Sequence, residues 1–394
     1  MKSKLTNWVF PIIYIAYTSI YIARINLSVA GPEMIAQGIV DTAQLGLLGS
    51  VFSSIYATGR LLNGNLSDKK PPQFMLTIGL VFAGLSNLCI SFFPPFIGIF
   101  LLWTTNAYAQ SMLWSSVMCT FSAIYDEEKA KKIGSYAVTS VATGNVLSIL
   151  LNGWLITTYG VKYAFIVPGL LTILLGAAVC FVTKGIAPTP KTVTKRTPLW
   201  ELLKTDKSMI KTLFLAITQG VMKENISLWM AVYVVDTYLI DLSTSSYYIL
   251  MIPMIGFVGR LSFPAVYKLF KNNENRAMGF GFVICLLCTL PLCFGKSNMV
   301  LAVLCLSFIY AAASVVNTAL ASAFPMRYAS SGNVGAVSGV TDFVAYLGAG
   351  IASAIYGVVI ANFGYLPMFI SWIVVSVLSL IVVRNLIKTR KANV

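Results

Sequence analysis

The chain has 394 residues, of which 57% are hydrophobic and only 10% charged. Water-soluble globular chains carry about 25% charged residues, so this composition excludes a soluble fold and places the chain in lipid. The formal charge of +15 would suit a nucleic-acid partner, but the basic residues are not gathered into one patch, and the absence of histidine excludes Ser/His/Asp and Cys/His catalytic sets.

A bilayer crossing needs about 20 consecutive apolar residues. About twelve such runs can be marked, at 8–30, 43–66, 74–93, 97–123, 133–157, 163–183, 209–235, 246–269, 277–294, 298–322, 335–361 and 366–387. Runs this continuous do not fit barrel strands, which alternate. With the loops assigned alternately to two sides, Lys162 and Lys296 are the basic residues of one side. Arg24, Arg60, Lys223 and Arg260 lie inside the runs, and the others gather on the opposite side. The positive-inside rule then puts both termini in the cytoplasm and requires an even number of spans. The expectation is an all-α, multi-pass protein of the inner membrane. The N-terminal run is basic at its start and lacks a small-residue cleavage site, which predicts a retained first helix.

The first run carries a stripe. Tyr14, Tyr17, Tyr21, Arg24 and Ser28 fall on one face at helical spacing, and the other faces are aliphatic. In a membrane helix such a stripe lines a watery cavity or packs on a neighbour. Arg24 lies about 14 to 16 residues from the cytoplasmic end, roughly 21–24 Å deep. In the second run Arg60 sits nearer the cytoplasmic end, where it either faces a cavity or snorkels. The run ends in Gly64-Asn-Leu-Ser-Asp68-Lys69-Lys70, which resembles the Gly-x-x-x-Asp-basic signature of the major facilitator superfamily. In that family the Asp is structural, and the expectation for Gly64, Asp68 and Lys69 is a gating motif. Further stripes are Trp103, Asn106, Gln110 and Trp114 in the fourth run and Asn145, Ser148 and Asn152 in the fifth. Each is either a cavity wall or a set of interhelical hydrogen bonds.

A Lys-, Thr- and Pro-rich stretch, Lys184 to Lys211, divides the chain. It predicts an N-terminal six-helix bundle over 1–185, a cytoplasmic linker over 186–207 and a C-terminal bundle over 208–394. The two parts repeat each other. Arg24-Ile-Asn26-Leu-Ser28 matches Lys223-Glu-Asn225-Ile-Ser227 at an offset of 199, and Gly59-Arg60-Leu61 matches Gly259-Arg260-Leu261 at 200. Parallel repeats build many carriers, with the substrate site near the bilayer midplane. Lys223 lies about 14 residues from its cytoplasmic end, the same depth as Arg24. The second stripe, Gln219, Lys223 and Ser227, surrounds it, and further stripes follow at Tyr310, Ser314 and Asn317 and at Ser338, Asp342 and Tyr346.

Charges at mid-span are costly, and they usually face a cavity or a partner. The acids Glu224 and Asp342 either titrate in a proton-coupled cycle or balance Arg260 and Lys223, the latter being the preferred role. Glu224 follows Lys223 directly, so its side chain should leave the helix about 100° away. The intramembrane surplus of positive charge suits an anion, and phosphate prefers a bidentate Arg with Lys as a point charge. The seven cysteines fall in the apolar runs and read as buried free thiols. Cys285 and Cys288 form a lone CxxC without histidine, so no metal is expected. No nucleotide motif is present, so no cofactor is expected either.

One resemblance narrows the family. Tyr21-x-x-Arg24-x-Asn26, then Gly46, Ser50, Tyr56, Gly59-Arg60, Gly64, Ser67-Asp68-Lys69 and Phe74-x-x-x-Ile78-Gly79-Leu80 together resemble the organophosphate:phosphate antiporter family. The likeness extends to Asp342-Phe-Val-Ala-Tyr346-Leu-Gly348 and Phe363-Gly364. It implies a major facilitator fold of about 12 helices in two pseudo-symmetric halves. It also implies exchange of inorganic phosphate for a phosphorylated metabolite. In that family an Arg of the first helix and a basic residue of the seventh bind phosphate, positions that Arg24 and Lys223 match, and Arg60 falls where the second helix is often basic. Tyr21, Asn145 and Tyr346 are the expected further contacts. Two departures stand out: Ile25 follows Arg24 where glycerol-phosphate carriers have a second basic residue, and Gly144 lies near the place of their fifth-helix histidine. Proton-coupled carboxylate symporters of the superfamily share an Arg-x-Asn-x-Ser-like first helix, and one antiporter branch is a sensor, so both remain as alternatives. The expected partners are the small anion, inorganic phosphate and the bilayer, with no nucleic acid and a monomeric state.

Overall fold

The computed structural model describes residues 2–67, 70–125, 127–184, 199–294, 298–328 and 334–392. Every extended element among them is helical. By contact the chain divides into two compact units, Met1–Thr192 with Asp241–Ser246, and Val193–Ile240 with Tyr247–Val394.

The first unit contains α1 (Lys2–Ala36), α2 (Thr42–Ser67), α3 (Pro72–Ile90), α4 (Phe96–Ser111), α5 (Leu113–Ile124), α6 (Glu127–Tyr159) and α7 (Tyr163–Val182). Prolines mark two of the starts: Pro71 and Pro95 precede α3 and α4 with extended backbones, as expected where the missing N–H costs nothing. The fourth run, continuous in sequence, is two helices meeting at Met112. That residue keeps helical angles (φ −73°, ψ −22°), so the break is a local loosening. Two hydroxyls bond back to the chain beside it: Ser111 Oγ donates to the Tyr108 carbonyl (2.6 Å) and Ser116 Oγ to that of Met112 (2.8 Å). Asn63 of α2 donates to Ser111 Oγ at 2.8 Å.

The second unit begins with α8 (Leu199–Thr205) and α9 (Lys207–Tyr238). Helix α10 (Leu242–Ile249) is divided between the two units after Ser246, and the second unit continues through α11 (Met251–Leu269), α12 (Glu274–Thr289), α13 (Met299–Thr318), α14 (Phe324–Met326), α15 (Val334–Phe363) and α16 (Leu366–Ala392). Asn273 and Asn298 cap α12 and α13 with side-chain oxygens. The short helix α8 docks through Leu202 and Leu203 on a cluster of Met209, Phe324, Tyr328 and Val337. Asp206 closes this corner, accepting from the Ser208 amide (2.8 Å) and the Tyr328 hydroxyl (2.6 Å). Burial pushes the Asp206 carboxyl up, but the hydrogen bonds from Ser208 and Tyr328 outweigh it and hold the group below its ordinary value. Burial and the same carboxylate push the Tyr328 phenol up. Nearby, Glu274, 3% exposed, pairs with Arg327.

Among the described residues, ten helical stretches are long and apolar enough to cross a membrane. The remaining predicted runs are the α4–α5 pair, divided at Met112, and α9, whose length of 32 residues suffices but whose middle carries Gln219, Lys223, Glu224 and Asn225. Leu101, Leu174, Phe181, Leu287, Ile355 and Ile381 stand exposed, as lipid-facing side chains do. The cysteines are more varied than expected: Cys285 and Cys305 are buried, but Cys89 is exposed on α3.

The repeat is visible in the packing. In the first unit α1 packs on α6, α2 on α4 and α3 on α7. In the second α9 packs on α15, α11 on α13 and α12 on α16. Matching glycines mark the close approaches. A Cβ at Gly59 would overlap Ser111, and one at Gly259 would lie 2.6 Å from the Ala311 carbonyl oxygen. A Cβ at Gly144 would lie 2.7 Å from the Thr18 carbonyl oxygen, and one at Gly348 2.6 Å from Ile217 Cγ2. Thr18 and Ile217 are themselves 199 residues apart, the offset of the motifs.

Candidate functional site

Arg24 lies two-thirds of the way along α1, half-buried. Its Nε donates to Gln110 Oε1 of α4 at 2.9 Å, and its Nη1 lies 3.4 Å from the Tyr21 hydroxyl one turn earlier. Three rings flank the guanidinium, with centroids 4.2 Å (Tyr56), 4.9 Å (Phe52) and 5.0 Å (Tyr21) from Cζ. Cation–π contacts of this kind each contribute on the order of 1–2 kcal/mol. Arg60 reaches the same Tyr56 ring at 5.8 Å. The structure thus brings Arg24, Tyr21 and Arg60 together, and adds Phe52, Tyr56 and Gln110. Phe52 carried no signal in the sequence, because an apolar residue in an apolar helix looks like packing.

The amide chain behind Arg24 continues inward. Gln110 Nε2 donates to Asn106 Oδ1 at 3.0 Å, and both residues are buried. Trp103, one turn earlier on α4, packs against Phe52 at 5.4 Å. Much of the remaining α1 stripe is packing. Tyr14 hydrogen-bonds Thr139 and Thr143 of α6, Tyr17 is buried against Trp114, and Ser28 is buried. Asn26, the polar partner in the Arg-x-Asn pattern, is fully buried. It ties α1 to Asn87 Oδ1 (2.7 Å) and to the Ala164 carbonyl (2.8 Å). Ser148 and Asn152 likewise donate to the Ile22 carbonyl. Asn145 is half-buried on α6, and its buried Oδ1 has no hydrogen-bond partner among the described residues.

In the second unit Lys223 of α9 is buried, 6% exposed, and pairs with Glu224. Although successive side chains leave the helix about 100° apart, both are long enough to converge. The Lys223 ammonium lies 5.9 Å from the Tyr310 ring of α13, and the Arg260 charge also acts on it. One turn earlier, Gln219 is buried with its Oε1 unpartnered among the described residues. Asn225, equivalent to Asn26, also bridges helices, donating to the Ala349 carbonyl and accepting from Ser353 at 2.8 Å. Asp342 and Tyr346 stand one turn apart on α15, both half-buried, as is Arg260 on α11. Of the expected gating motif, Gly64 lies within α2, and Asp68 and Lys69 lie outside the described residues.

The chain matches the profile of the Major Facilitator Superfamily over residues 13–353. Among curated proteins it is similar to a probable hexose phosphate transport protein of Chlamydia pneumoniae, 29% identical over 179 residues, which is 45% of this chain and 39% of that one. It is 28% identical over 171 residues to the membrane sensor protein UhpC of Salmonella typhimurium, covering 43% of this chain and 38% of that one. To the glycerol-3-phosphate transporter of Haemophilus influenzae it is 28% identical over 195 residues, 48% of this chain and 36% of that one. The match therefore spans less than half the length of these relatives. Among solved structures, a bacterial homolog of the human lysosomal transporter Spinster aligns with TM-score 0.79 at 14% identity, covering 97% of this chain and 96% of that one. The nucleoside transporter NupG aligns with TM-score 0.73 at 12% identity, covering 97% of this chain and 99% of that one. At such identities the shared property is the fold.

Proposed function

The chain belongs to the Major Facilitator Superfamily, a family of membrane transporters and not of enzymes, and we propose that it exchanges a phosphorylated small metabolite for inorganic phosphate across the inner membrane by alternating access. The observation that carries this reading is the aromatic cage of Arg24. Tyr21, Phe52 and Tyr56 flank the guanidinium, so ring faces stabilise an intramembrane charge of the kind that pairs with an oxyanion. Lys223 supplies the second cation, Arg60 adds field beside Tyr56, and Tyr21, Asn145 and Tyr346 offer neutral contacts. The phosphate-ester class rests on the relatives named above, a hexose phosphate transport protein and a glycerol-3-phosphate transporter among them.

The exchange cycle follows from electrostatics. Reorienting an empty carrier that must bring cationic groups into an occluded space is costly, and a bound dianion lowers that cost. Reorientation then requires cargo in both directions and no covalent step. Glu224 and Asp342 balance charge, with Glu224 on Lys223 as the contact that supports this role. Both termini are assigned to the cytoplasm, and the carrier acts as a monomer in the bilayer, with 1–185 and 208–394 as the moving halves joined by the linker 186–207.

One observation favours a second reading. A carboxylate paired with an intramembrane lysine is also what a proton-coupled anion symporter requires. Uptake of labelled phosphate into proteoliposomes separates the two. Exchange predicts uptake that depends on internal phosphate and ignores a protonophore. Uptake that needs no internal anion and collapses with the protonophore would replace antiport by symport, and no uptake of any anion would leave the sensor reading.

A further inference from the structure

The turn between α6 and α7 lies outside the site proposed for transport and carries a surface of its own. The candidate spans Thr139–Tyr159 and Tyr163–Val182 end and begin there, so residues 160–162 lie where headgroups meet the hydrocarbon. Gly160 makes the turn, at φ +102° with open space around it. Three rings line up across it. Trp154 meets Tyr159 edge to face at 5.4 Å, Tyr159 meets Tyr163 at 5.6 Å, and the Lys162 ammonium stands 5.3 Å from the centre of the Tyr163 ring. Trp154 and Tyr159 are 53% and 54% exposed, and Lys162 is exposed as well. Among the described residues Lys162 joins no ion pair, and the first turn of α7 holds no acid. With the loops assigned alternately, Lys162 and Lys296 are the basic residues of their side, so Lys162 is not one member of a general cationic surface.

The matching turn of the second unit lacks these features. It joins α15 to α16 at Gly364, also at positive φ (+69°), 204 residues after Gly160. At that offset Val358, Phe363, Leu366 and Pro367 stand where the first turn has Trp154, Tyr159, Lys162 and Tyr163. Val358, Phe363 and Leu366 are exposed too, at the ends of the candidate spans Val337–Phe363 and Leu366–Thr389. Both turns are therefore exposed at a membrane boundary, and only one carries an indole N–H, phenol hydroxyls and a cation. Amphipathic rings sit at headgroup depth, and a lysine there attracts anionic lipid. We propose that the α6–α7 turn docks the headgroup of an anionic phospholipid, with Lys162 on the phosphodiester and the polar edges of Trp154 and Tyr159 beside its glycerol and ester oxygens. Charge complementarity sets the occupant. An ammonium with no carboxylate paired to it favours a headgroup of net negative charge over a zwitterionic one, whose own cation it repels.

The test uses the full chain in phosphatidylcholine nanodiscs doped with brominated lipid. It reads the fluorescence that is lost in Trp154→Phe, which isolates Trp154 among the seven tryptophans. Brominated phosphatidylglycerol should half-quench Trp154 at about one-fifth of the mole fraction that brominated phosphatidylcholine needs, the weight of one lysine near an anionic headgroup. Lys162→Ala should remove this preference, and Lys162→Arg should keep it. Lys162 is an exposed turn residue, so both variants should fold as the unaltered protein does. Equal quenching by the two lipids in the unaltered protein, or a preference that survives Lys162→Ala, overturns the site. So does displacement of the brominated phosphatidylglycerol by soluble glycerol phosphate, which would make a free anion and not a lipid the ligand. None of these readouts depends on what the protein transports.

Discussion

Arg24 and Lys223 occupy matching places in a repeated sequence, yet the protein holds them by different chemistry. Arg24 is held by neutral groups, an amide oxygen at its Nε and the faces of Tyr21, Phe52 and Tyr56. Lys223 is held by a carboxylate next to it in the chain. The neighbouring asparagines, Asn26 and Asn225, do the same job in both units, tying their helix to a neighbour's backbone. The scaffold is therefore duplicated while the charge environment is not. A guanidinium can be stabilised by ring faces and by an amide oxygen. An ammonium is a point charge, and a buried one needs an anion close by.

Substitutions at the two cations separate these chemistries. The largest effect on stability is expected from Lys223→Gln, which removes the ammonium paired with Glu224. It should destabilise the protein by about 2–3 kcal/mol, and Lys223→Gln combined with Glu224→Gln should recover at least half of that. Thermal melting in detergent reads both, and no recovery in the double variant would mean the pair is incidental. Arg24→Gln should abolish anion binding yet lower stability less, because its neutral neighbours are left uncharged.

A smaller difference separates the matching glycines. Gly144→Ala puts a methyl 2.7 Å from the Thr18 carbonyl oxygen and 2.5 Å from Tyr21 Cβ, neither of which can rotate away. Gly348→Ala meets Ile217 Cγ2, the mobile end of a side chain, at 2.6 Å, with the nearest backbone atom, the Ile217 carbonyl oxygen, at 3.3 Å. The first should cost about 2 kcal/mol and the second about 1. Equal costs would contradict the geometry at α1 and α6.

The smallest effect lies at the corner of α8 and α9. Tyr328→Phe removes a donor from Asp206 and should cost on the order of 1 kcal/mol at neutral pH. Because the Asp206 carboxyl is depressed in the folded state, its contribution is present above the unfolded carboxylate value of about 3.9 and fades as pH falls through the folded value. The gap between Tyr328→Phe and the unaltered protein should therefore narrow below about pH 4. A gap that stays constant across that range would assign the loss to packing.

The span pattern was legible because lipid imposes it residue by residue. The fourth run reads as continuous in sequence, and it divides at Met112, which keeps helical angles and has no proline or glycine beside it. Glu224 was expected to point away from Lys223, and two long side chains close that angle. Arg24 and Tyr21 were visible as a stripe, but a stripe does not separate the members that face a site from Tyr14 and Tyr17, which pack on α6 and Trp114. Gln110 stood in a polar stripe of its own run, and nothing in the sequence joined it to Arg24. Phe52 was silent altogether.

If the caged guanidinium of Arg24 recognises phosphate, counterflow of labelled phosphate in proteoliposomes loaded with phosphate will separate the unaltered protein from Arg24→Lys. Lysine keeps the charge and loses the fork. Robust counterflow is expected in the first and a loss of about a hundredfold in kcat/KM in the second, close to 3 kcal/mol of binding. Equal counterflow in both would show that charge alone suffices at this position and would remove the cage of Tyr21, Phe52 and Tyr56 from the mechanism.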